Sequence, residues 1–135
     1  RRVAADDHQT RRVYDSALYL AEVLARVPVH VIPCLIGEPP ESGRAAAGFY
    51  ADILPATWSF MLAARARGLG TVWTTMTLAR HQEIAALLDM PANVTQAALI
   101  PVAHYSGETF RPAARPAPET ITSWNAWQSP PPTAL

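Results

Sequence analysis

From Val13 to Leu24 the apolar residues Val13, Ala17, Leu20, Ala21 and Leu24 recur at three- and four-residue spacing. That period predicts a helix with one apolar side, and Pro28 ends it. Val29 to Ile36 is a short, β-branched apolar run closed by Gly37-Glu38-Pro39-Pro40. It predicts one buried strand followed by a loop to about Gly43. Ala45 to Arg67 is apolar on nearly every side, with Phe49, Ile53, Leu54, Trp58, Phe60, Met61 and Leu62. A helix of that kind is expected to be buried. Pro55 in its middle leaves two readings: two helices meeting there, or one kinked helix. Gly68-Leu69-Gly70 stops the helix, and Arg65 and Arg67 suit the negative end of its dipole.

Thr71 to Met76 is dense in strand formers. Thr77 is positioned to cap a helix from Leu78 to about Met90, with Ile84, Leu87 and Leu88 inward. Pro91-Ala92-Asn93 reads as a turn, and Thr95 to Tyr105 as a further strand. Pro101 in that strand implies a bulge, a strand end or an unpaired position. Beyond Gly107 the chain reads as an extended arm. Its prolines at 112, 116 and 118 remove donors, so it is expected to lack regular helix and local hydrogen bonds of its own. Helix, strand, long helix, strand, helix, strand, arm is a mixed layer order. Crossover connections of this type predict some parallel strand pairs. Three strands leave open edges, so more sheet is expected from another segment or subunit.

Composition narrows the chemistry. The chain has 135 residues, 50% of them hydrophobic and 16% charged, which can supply a core. Eleven basic and eleven acidic residues cancel. No basic field exists to grip nucleic acid. Every basic residue is Arg, so no mechanism can use a lysine. Cys34 is the lone cysteine, which excludes an internal disulfide or a cysteine-cluster metal site. No apolar run reaches the roughly 18 residues of a membrane span. The polar start, Arg1 to Asp7, lacks the apolar stretch of a secretory signal. A cytoplasmic protein is the expectation.

Few side chains suggest a reaction. The Gly68-Leu69-Gly70 glycines close a helix and open a strand, the reverse of a dinucleotide fingerprint. Cys34 lies in an apolar strand without a neighbouring base and reads as a structural thiol. His8, His30, His81 and His104 lack ligand spacing, so no metal site is expected. No acid-base or nucleophile constellation emerges. Asp52, within the apolar helix, can face solvent, pair with an Arg or point into a cofactor cavity. Trp58 and Trp73 lie in core elements, whereas Trp124 and Trp127 sit in the arm and need a surface to dock on. Arg111 and Arg115 at the start of the arm read either as solvated residues or as a phosphate clamp.

The stretch Ile53-Leu54-Pro55-Ala56-Thr57-Trp58-Ser59-Phe60-Met61-Leu62-Ala63-Ala64-Arg65-Ala66-Arg67-Gly68-Leu69-Gly70-Thr71-Val72-Trp73-Thr74-Thr75 resembles the nitroreductase family, in a form common in actinobacterial members. It looks like that family's central helix, glycine stop and flavin-side strand. Ala98 to Ala103 is similar to the strand before the family's C-terminal arm. Phe110 to Arg115 and Trp124-Asn125-Ala126-Trp127 are similar to the arm and its terminal tryptophan. The resemblance covers about Val13 to Trp127.

The resemblance implies an α+β fold, with a sheet packed by helices, a long buried central helix and an extended C-terminal arm. It implies a single domain over 1–127 with a proline-rich tail over 128–135. It implies an FMN-dependent oxidoreductase in which hydride passes from NAD(P)H through FMN to a nitroaromatic, quinone or similar acceptor. Thr74, Thr75 and Met76 match positions whose backbone meets the flavin ring, and Arg115, with Arg111 beside it, matches the arm's phosphate contact. It implies a homodimer with interlocked arms. The family's N-terminal Arg/Ser/Arg phosphate motif has no match here, so the chain reads as a C-terminal portion. The alternative is a non-catalytic relative that binds flavin weakly or serves in assembly.

Overall fold

Val29 to Ile36 is one apolar run in sequence and two strands in space. β1 (Val29–Val31) and β2 (Cys34–Ile36) are separated by Ile32 and Pro33, where proline has no N–H to give a ladder. Their partners break at the matching place. β4 (Val94–Gln96) pairs with β2, and β5 (Ile100–His104) pairs with β1, both antiparallel. Ile32 and Pro33 therefore lie opposite Ala97, Ala98 and Leu99, one residue more, and the register slips by one across this bulge. The Ala97 N–H donates to the Pro33 carbonyl at 2.9 Å and closes it. The expected single strands over Val29–Ile36 and Thr95–Tyr105 are thus each two. Nor is the first fully buried: Ile36 is 83% exposed.

The computed structural model describes residues 8–107, 115–130 and 132. The chain forms two compact units, Arg1–Tyr105 and Ser106–Leu135. In the first, β3 (Leu69–Thr71) pairs with the other side of β5, giving the strand order β1-β5-β3 with every pair antiparallel. This corrects the expectation of parallel pairs. β1 and β3 do run in the same direction, but β5, last in sequence, lies between them. The expected strand over Thr71–Met76 also starts earlier and ends sooner, at Leu69–Thr71.

Buried Pro101 explains the early end. Gly70 faces Ala103 and Thr71 faces Val102; the isolated bridge of Thr74 to Leu99 keeps that register. Thr74 and Leu99 bond reciprocally, so the alternation of an antiparallel ladder puts the next reciprocal pair at Val72 and residue 101. Proline cannot donate there, and the ladder is interrupted between Thr71 and Thr74.

α1 (His8–Val23) runs into a 3₁₀ turn at Leu24–Arg26. Val13, Tyr14, Leu18 and Tyr19 on it are all more than 60% exposed. The expected long helix is two: α2 (Gly43–Ala51), capped by the Ser42 hydroxyl on the Ala45 N–H, and α3 (Leu54–Ala66). Pro55 sits in the first turn of α3, where a missing N–H costs nothing. Gly68 ends α3 at φ +76°, a conformation glycine adopts without strain.

The core lies between α3 and the sheet. Ala98, Ile100 and Val102 alternate onto one face, and Val31, Met61, Leu69 and Trp73 pack against them. The inward stripe of α3 is Thr57, Met61 and Ala64, at four- and three-residue spacing. The Thr57 hydroxyl donates to the Ile53 carbonyl at 2.9 Å and so is buried without penalty. This stripe corrects the expectation that the helix is buried all round. Thr57 and Ala64 on that stripe are small, Met61 packs between them, and Trp58 and Leu62 lie off it: Trp58 is 57% exposed and Leu62 55%.

Thr77 caps no α-helix. Met76–Arg80 forms a 3₁₀ turn, and α4 (His81–Leu87) follows without a side-chain cap. A bidentate Arg80–Glu83 pair, at 2.8 and 2.7 Å, braces the junction. Leu87 and Leu88, expected inward, are exposed, and Ile84 is half-buried. Buried Gln96 donates its Nε2 to the His81 carbonyl at 2.8 Å, tying α4 to β4.

In the second unit the described residues hold a 3₁₀ turn at Pro118–Thr120 and no α-helix. They do form local hydrogen bonds, contrary to expectation. Thr120 and Ile121 donate to the Ala117 and Pro118 carbonyls, and Trp124 N–H donates to Ser129 at 2.9 Å, closing a tight loop. Proline loses a donor but keeps its acceptor, and the Pro118 carbonyl accepts from both the Ile121 N–H and the Thr122 hydroxyl. Asn125 and Gln128 occupy left-handed backbone in that loop. Phe110 to Ala114 lie outside the described residues.

Candidate functional site

The sequence-derived site centres on the segment after β3, and local chemistry fixes where it begins. Gly68 turns the chain from α3 into β3, and Gly70 lets β3 pass close to Tyr105. A Cβ at Gly70 would sit 3.2 Å from the Tyr105 ring. Arg65 of α3 covers the same ring at 4.5 Å from its centroid. The chain is thus held at the entry to β3 by α3 and by the end of β5.

At the exit of β3 it is held again. Thr74 donates its N–H to the Leu99 carbonyl at 3.0 Å and accepts the Leu99 N–H at 2.9 Å. Its hydroxyl also donates to the Leu99 carbonyl, at 3.0 Å. Thr74 is half-buried; Thr75 and Met76 are exposed, Met76 at 86%. The Thr75 carbonyl accepts the Leu78 N–H at 3.0 Å and opens the 3₁₀ turn. Among the described residues the Thr75 and Met76 amides meet no acceptor. A ring with an acceptor edge fits those two donors. It does not fit the Thr74 amide, which Leu99 already occupies.

The other sequence candidates lie elsewhere. Arg115 is exposed and belongs to the second unit, while Arg111 lies outside the described residues. Asp52 is exposed at the end of α2. Cys34 is half-buried in β2 with its Sγ 3.4 Å from the Ile32 carbonyl, and burial raises its thiol pKa. Among the described residues no three His, Cys, Asp or Glu side chains converge as a metal site would need. A shallow concavity beside α4 is lined by Thr77, Arg80, Glu83, Ile84 and Leu87. Sequence reading missed Leu99 as the residue that clamps Thr74. The signal for it was Pro101, whose missing donor predicts a broken ladder with pairing resumed beyond it.

The family model described as nitroreductase family matches residues 1–104. No curated protein matches the chain.

Proposed function

The chain belongs to the nitroreductase family, a family of oxidoreductases, and from that membership we propose that it is an FMN-dependent enzyme using NAD(P)H as electron donor. The acceptor is a nitroaromatic, a quinone or a similar electron-poor small molecule. The observation that carries this reading is the family match across residues 1–104, which spans the Thr74–Met76 segment.

When bound, FMN supplies the hydride chemistry. The protein's part is to bind and orient. The Thr74–Leu99 clamp fixes the segment, and the Thr75 and Met76 amides are donors with which to hold the polar edge of the ring. Donors aimed there favour the charge that develops as the ring is reduced. Arg115 and Arg111 are assigned to the phosphate by their resemblance to the family's arm. The absence of an acid-base constellation agrees with a reaction in which the cofactor does the chemistry.

The working form is a homodimer with interlocked arms, in the cytoplasm. The apolar side chains that one chain leaves exposed support it: Trp58 and Leu62 on α3, and Val13, Tyr14 and Leu18 on α1. No helix among the described residues is long and apolar enough to cross a membrane.

Purified protein should take up FMN, appear yellow and bleach on adding NADPH or NADH under nitrogen. A protein that stays colourless in excess FMN would instead favour a non-catalytic relative.

A further inference from the structure

We propose that Met76 is a modification site, a methionine that hydrogen peroxide converts to its sulfoxide while Met61 and Met90 are spared. The chain has three methionines, and the fold treats them differently. Met61 lies on the inward stripe of α3, packed against Ala98, Ile100 and Val102. Met90 is half-buried. Met76 is 86% exposed, the most exposed large apolar side chain among the described residues of the first unit. It opens a 3₁₀ turn two residues after the clamped Thr74, so its backbone is held while its side chain stands in solvent.

The step balances simply. The sulfur lone pair attacks one peroxide oxygen, the O–O bond breaks, and the second oxygen leaves as water after proton transfer. Sulfur is oxidised by two electrons and peroxide is reduced by two. Susceptibility follows access, and Met76 is far more exposed than half-buried Met90 or packed Met61. The product matters because of where it forms. A sulfoxide oxygen is a strong acceptor, and it forms on the residue whose own amide, like that of Thr75, meets no acceptor among the described residues. It therefore competes for the donors proposed to hold the flavin. That consequence rests on the flavin reading; the oxidation itself rests on exposure alone.

The test is dilute hydrogen peroxide on the folded full chain, quenched at intervals and mapped by peptide mass. Cleavage after Arg44, Arg67 and Arg80 places the three methionines on separate peptides. Met76 sulfoxide is expected to form at least about tenfold faster than the other two. In denaturant the three rates should converge, and Met76→Leu should abolish the fast product. Equal rates in the folded chain, or a slower Met76, would overturn the proposal. A second arm repeats the experiment with FMN present. Slower oxidation of Met76 there supports the flavin assignment. An unchanged rate counts against that assignment and leaves the exposure result standing.

Discussion

Thr74 and Leu99 hold each other by both backbone groups, and the Thr74 hydroxyl adds a third bond to the same carbonyl. This pair resumes the β3–β5 ladder beyond the break that Pro101 makes. It fixes the start of the Thr75–Met76 segment, so the hydroxyl should be worth a measurable part of the stability. Thr74→Val keeps the shape and the backbone pair and removes the hydroxyl bond. It is expected to cost about 0.5–1.5 kcal/mol in urea unfolding. If Thr74→Val unfolds at the wild-type midpoint, the hydroxyl bond contributes nothing.

Two glycine substitutions should have opposite signs. Gly70→Ala puts a methyl 3.2 Å from the Tyr105 ring and 3.5 Å from the Ala103 carbonyl. Overpacking of that kind costs about 1–3 kcal/mol and should move the ring away from Arg65. Gly48 is interior to α2, with nothing within 4 Å of a new Cβ. Gly48→Ala should stabilise by about 0.5–1 kcal/mol through helix propensity. Thermal melts of the two variants check both signs.

Cys34 gives a pH signature. Burial raises its thiol pKa, so the folded state prefers the neutral form more than the unfolded state does. The resulting stability is complete below the unfolded-state pKa and is lost as pH rises through the higher folded-state value. A Cys34→Ala variant should lack this alkaline loss. Labelling by a disulfide reagent at neutral pH should be slow in the folded chain and fast in denaturant. Fast labelling of the folded chain would contradict the assignment of Cys34 as a structural thiol.

On the proposed assignment of Arg115 to the FMN phosphate, Arg115→Ala should weaken FMN binding by about 1.5–3 kcal/mol, the value of a hydrogen bond to a charged group. Fluorescence titration of FMN reads it directly. The folded stability of the apoprotein should be unchanged, because Arg115 is exposed. Wild-type affinity in the variant would remove Arg115 from the site.

Trp58 tests the proposed dimer. It is more than half exposed on α3 in one chain, on the flank of the inward Thr57–Met61–Ala64 stripe. Trp58→Glu should leave the fold intact and shift the molecule from dimer to monomer in sedimentation, because a charge in an apolar interface is costly. An unshifted dimer would show that α3 is not in the interface.

The sequence by itself determined the local punctuation and the family resemblance. Gly68 and Gly70 ended a helix and began a strand, Pro55 marked where a long helical segment must divide or kink, and Pro91 to Asn93 made a turn. Each depends on backbone geometry within a few residues. The Ile53–Thr75 block was specific enough to point to the family that the match over residues 1–104 shows. Tertiary structure decided the rest. Strand direction could not be read from the order of elements, because it depended on β5 passing between β1 and β3. The bulge at Pro33 depended on the three residues, Ala97 to Leu99, that lie opposite it between β4 and β5. An all-round apolar helix said nothing of which side faces the sheet; the small side chains of Thr57 and Ala64 decided that by letting α3 approach. Thr74, Thr75 and Met76 looked alike as backbone donors, and only the register with Leu99 showed that the first is occupied. Such pairings join residues some 25 positions apart; Pro101 signals a break in the ladder, but the local pattern does not set the register across it.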